Sequence, residues 1–160
     1  MYIHNIECIA ILDKACKTLI KREYAKTDIK AVFDHIKSEK DEITIMNDSL
    51  VVYKNLDDVI IFISSDININ EILIHKALES FYSALVSVLK TVPSVSAINE
   101  KYDQIVLLLD SFVYQGILME DDADKMAQNV LPRPFEGLEG MKIPKGFTSI
   151  FSKATNLTRR

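Results

Sequence analysis

What this 160-residue chain lacks narrows its chemistry before any pattern is sought. With only four glycines it has no phosphate-cradling loop, and no nucleophile-elbow, P-loop or dinucleotide fingerprint occurs. Its two cysteines, Cys8 and Cys16, stand eight apart with no CxxC spacing, so they read as ordinary small side chains of a reducing compartment. The three histidines, His4, His35 and His75, are scattered, with no Asp, Glu or Cys at ligand spacing, and are assigned no chemistry. Neither catalysis, a metal nor a cofactor is expected. Basic excess is also missing: the net charge is −4, which argues against binding nucleic acid through bulk electrostatics. No apolar run reaches membrane-spanning length, and the N-terminus lacks the pattern of a signal peptide, so a cytosolic protein is expected.

What the chain does have is apolar surface. Hydrophobic residues make up 48% of it, enough for one sizeable core. The rest is organised around 50–90. Val59 to Ile63 is an unbroken, β-branched apolar run, too short for a helix, and reads as a strand buried on both faces. Leu50 to Tyr53 is its partner strand, with a hairpin turn over Lys54 to Asp58. The helix that follows places Ile74, Leu78, Phe81, Leu85 and Val88 on one stripe. Leu73, Ala77 and Ala84 widen it on one side, and Tyr82, Val86 and Leu89 on the other, to roughly 220° against the roughly 100° of a surface helix. Ile72 intrudes on the polar side. Such a helix needs cover on two sides.

Upstream, Ile6 to Leu12 reads as a second central strand, Asp13 to Thr18 as a turn and Leu19 to Tyr24 as the next strand. Thr27 or Asp28 caps a short helix with Ile29, Val32, Phe33 and Ile36 on its buried face. Glu42 to Met46 alternates like an edge strand, and Asn47 and Asp48 turn the chain. Downstream, Pro93 ends the long helix and a second one starts near Ala97 or Ile98. Its middle, Ile105 to Leu109, is apolar all round and reads as deeply buried, and Phe112, Val113 and Tyr114 continue it to a C-cap at Gly116. Ile117 to Met119 is a short extended link, and Asp121, Asp122 and Asp124 start a helix that runs to about Val130.

The segment 131–160 differs in kind. It holds three of the four prolines and three of the four glycines, and its charge is +4 against −8 for 1–130. The division expected is a domain over 1–130 and a basic tail over 131–160, in which Phe147, Ile150 and Phe151 form one face of a short helix for a partner. The element order gives an α+β fold: a five-stranded antiparallel sheet sandwiched between one short helix and two long C-terminal helices, with the two fully apolar strands at its centre.

Three segments carry a resemblance. ECIAILDKACKTLIKREY is similar to an opening hairpin with an Asp-led turn and a basic, aromatic second strand. SLVVYKNLDDVIIFI resembles a strand pair containing a Val-Val-Tyr-Lys run, and EKYDQIVLLLDSFVYQGILMEDDADKMAQNVLPR a closing region of leucine-rich helix, glycine and acidic link. In order and spacing they resemble the longin-like small chains of vesicle-coat adaptors, in the coatomer branch of that family. The match spans most of 6–133. It departs at Lys14, Ala15 and Cys16, where the family has Asp and Gly, and at Gln115-Gly116, where it has Gly-Gly.

The resemblance implies a non-enzymatic subunit of the COPI coat. Such a subunit pairs with the coatomer gamma subunit and serves coats that an Arf-family GTPase recruits to Golgi membranes, as a peripheral component on the cytosolic side. The alternatives are a sigma chain of a clathrin adaptor or a longin-type subunit of a tethering complex. Residues expected at the partner interface are Ile72, Tyr82 and Val86 on the flank of the first long helix and Phe112 and Tyr114 at the end of the second. In related clathrin-adaptor chains the turn matching Asp57 and Asp58 carries small neutral residues beside a pocket for acidic dileucine signals. Two carboxylates there would repel such a peptide, so no dileucine binding is expected.

Overall fold

The computed structural model describes residues 4–38 and 42–131; the tail, with Phe147, Ile150 and Phe151, lies outside them. Five strands form one antiparallel sheet: β1 (Ile6–Asp13), β2 (Thr18–Glu23), β3 (Ile43–Met46), β4 (Ser49–Asn55) and β5 (Val59–Asp66), in the order β2-β1-β5-β4-β3. The two strands apolar on both faces, β1 and β5, lie side by side inside the sheet, as their lack of a polar face requires.

Period-two alternation sorts the strands into two cores. Ile9, Ile11, Val52, Leu50, Ile61 and Ile63 point to one side. Ala10, Leu12, Val51, Tyr53, Ile60 and Phe62 point to the other, where α1 (Ile29–Ser38) covers them with Val32, Phe33 and Ile36. A bulge between Ile6, paired with Ser65, and Cys8, paired with Ser64, leaves Glu7 without a partner on β5. Its carboxylate accepts hydrogen bonds from the Ser49 and Ser64 hydroxyls, each at 2.7 Å, so the charge inside the apolar run of β1 is satisfied locally.

The larger core lies under the helical layer. It contains α2 (Glu71–Leu89), α3 (Val95–Glu100), α4 (Tyr102–Phe112) and α5 (Ala123–Val130). Asn70 caps α2 by accepting from the Ile72 and Leu73 amides, and eight residues of the helix, from Ile74 to Leu89, are buried. By length and composition the 19-residue α2 could span a membrane, an 18-residue window of it having a mean hydropathy of 1.4, although the sequence shows no uninterrupted apolar run of that length. Here it is the central core helix: the stripe predicted for it packs on the sheet, and Phe81 meets Phe112 of α4 with ring centroids 5.0 Å apart.

Four expectations need correction. The first concerns what stops α2: it ends at Leu89, about where expected, but through Lys90, which takes the left-handed conformation (φ +59°) and donates its amide to the Val86 carbonyl, and not at Pro93. Secondly, the second long helix is two helices. Ser94 caps α3 two residues earlier than expected, and the chain breaks at Lys101 (φ −113°, ψ 30°). The break is compensated, because Lys101 reaches back and donates its ammonium to the last carbonyls of α2, Val88 at 2.8 Å and Leu89 at 3.2 Å.

The third correction concerns Gly116. It is not a helix C-cap: α4 ends at Phe112, and Val113–Tyr114 (β6) pairs with Ile117–Leu118 (β7) across a two-residue turn. Gln115 (φ +50°) and Gly116 (φ +75°) both take positive φ, the conformation of a type I′ hairpin. Finally, α4 is not apolar all round into the core, since Leu107 is 55% exposed while Ile105, Leu108 and Leu109 are fully enclosed. A straight continuation of the helix was favoured by the run of apolar residues alone. Extended pairing won because the hairpin tip docks on the first residue of β1.

Candidate partner interface

Among the described residues no metal centre is assembled. No group of three or more His, Cys, Asp or Glu side chains lies at ligating distance. His35 contacts the Thr44 hydroxyl at 2.7 Å, His75 contacts Glu42 at 3.0 Å, and burial pushes the Cys8 thiol up to about 12, the opposite of what a nucleophile requires.

The surface that remains to be explained is apolar. On α2, residues Ile72, Tyr82 and Val86 fall on one flank, as helical spacing dictates, and that flank faces the β4 side of the sheet. Lys54 of β4 lies over the Tyr82 ring, 4.8 Å from its centroid, and pairs with Glu79 one turn away. Glu42 reaches His75 on the same flank. Tyr82 and Val86 are thereby half covered, while Ile72, in the first turn, is 70% exposed. The opposite flank is sealed by α5, whose Met126 and Ala127 are buried against α2 and α4. Part of the second cover that the 220° sector demanded is therefore supplied internally.

Phe112 is a correction. It is fully enclosed in the larger core against Phe81 and presents nothing to a partner. Tyr114 is 58% exposed but sits elsewhere, on the β6–β7 hairpin at the β1–β2 side, where Tyr24 donates to the Val113 carbonyl. The five residues do not form one patch. Ile72, Tyr82 and Val86 share a flank, Tyr114 is separate from it, and Phe112 is internal. Sequence reasoning missed Tyr102 and Leu107, exposed on α4, and Met119 beyond the hairpin. The apolar run 105–109 held the signal for Leu107, since one helix cannot turn five consecutive residues inward.

Asp58 has a role that the turn alone did not suggest. Its carboxylate accepts from the Val95 amide at 2.7 Å, tying the β4–β5 turn to the first turn of α3. Asp57 is exposed beside it.

The helical layer over the sheet thus keeps exposed apolar residues. Comparison with known proteins places the chain. The family of clathrin adaptor complex small chains matches residues 5–133. The coatomer subunit zeta of Encephalitozoon cuniculi is 34% identical over 157 residues, covering 97% of this chain and 94% of that protein. The coatomer subunit zeta of Saccharomyces cerevisiae is 24% identical, covering 91% and 87%. A homology model of the full-length AP-3 complex in a stretched open conformation contains a chain with a TM-score of 0.60, covering 78% of this chain and 90% of that one. Its 16% identity speaks for the shared fold. The chain belongs to the clathrin adaptor complex small-chain family, in the branch of the coatomer zeta subunits.

Proposed function

We propose that this chain is a non-enzymatic subunit of the COPI coat that works as half of a permanent pair with the coatomer gamma subunit. The pair serves coats recruited by an Arf-family GTPase, in Golgi-to-ER and intra-Golgi transport. It sits peripherally on the cytosolic side of Golgi membranes and coated vesicles. The observation that carries this reading is the end-to-end similarity to a coatomer zeta subunit, 34% identity over nearly the whole of both chains. The exposed apolar residues of the helical layer, Ile72 on α2 and Tyr102 and Leu107 on α4, supply the kind of surface that an obligate partner covers.

The matched family is named for clathrin adaptors, and that observation favours a second reading, a sigma-type chain of such an adaptor. Recovery from cytosol with identification of the stable partner separates the two. A coatomer large chain at equal stoichiometry is expected; a clathrin-adaptor large chain or a tethering subunit in its place overturns the proposal. Aspartate at Ile72, Tyr82 and Val86 together abolishes the pairing, and undiminished co-purification of that variant removes the flank from the interface.

A further inference from the structure

We draw no further inference here: the strongest candidate, the apolar groove that Ile43, Ile45, Leu50, Ile67 and Ile69 line along the uncharged β3 edge of the sheet, is an open face, and nothing in the structure shows what covers it.

Discussion

Ile6 and Gly116 touch backbone to backbone. The Ile6 amide donates to the Gly116 carbonyl at 2.9 Å, and the Ile6 carbonyl oxygen would lie 2.8 Å from a β-carbon built on Gly116. A hairpin 110 residues along thus clamps the first residue of the sheet, and only glycine fits: φ is +75° and the space for a side chain is filled by main chain.

Gly116→Ala is therefore expected to destabilise the fold by about 1–3 kcal/mol, combining positive-φ strain with a clash that no side chain can relieve. Gln115→Gly, at φ +50° in the same turn, is expected to be neutral or slightly stabilising. Thermal unfolding of the two variants beside wild type checks both, and equal midpoints for Gly116→Ala and wild type contradict the close approach.

Lys101 joins two helices through charge. Replacing it with methionine keeps most of the stem but leaves the Val88 and Leu89 carbonyls without their donor, which is expected to cost about 1–2 kcal/mol. Arginine at the position should recover part of the loss. Chemical denaturation with an unchanged slope reads the difference, and no loss in the methionine variant would show that the carbonyls do not depend on the ammonium.

Core and surface should separate cleanly. Phe112→Ala opens a cavity beside Phe81 and is expected to cost about 3–5 kcal/mol. Ile72→Asp and Tyr114→Asp, at exposed positions, should stay within about 0.5 kcal/mol of wild type. A large stability loss from either of these two would place it in the core, against the geometry described.

Cys8 makes stability fall at alkaline pH. Burial raises its pKa from 9.0 to about 12, so above pH 9 the unfolded chain releases a proton that the folded chain retains. The contribution is complete below pH 9 and is lost between about 9 and 12, at up to about 1.4 kcal/mol per pH unit. Cys8→Ala should flatten that alkaline decline, measured as denaturation midpoints from pH 8 to 10.5. An identical slope in wild type and variant would assign the decline to other groups.

A peptide with an acidic dileucine signal should not bind at the β4–β5 turn. Asp57 is exposed there and Asp58 is held in place by the Val95 amide, so the turn presents negative charge to an acidic peptide. Low-micromolar affinity in a titration, lost on Asp57→Ala, would contradict this.

The sequence by itself determined the elements whose apolar pattern has a single solution. Val59 to Ile63 and Ile6 to Leu12 have no polar face, so they had to lie inside the sheet. The stripe from Ile74 to Val88 had to face it, and the alternation of 42–46 had to make an edge. Tertiary structure decided what local pattern leaves degenerate. An apolar Val113-Tyr114 continues a helix as readily as it starts a strand, and the docking of Gly116 on Ile6 selects the strand. Phe112 and Tyr114 are two residues apart and both aromatic, yet one fills the core and the other faces outward, because the chain changes from helix to hairpin between them. How far each flank of α2 is covered was likewise left to the tertiary structure, since α5, recruited from 50 residues downstream, seals one side while Lys54 and Glu42 only partly cover the flank of Ile72, Tyr82 and Val86.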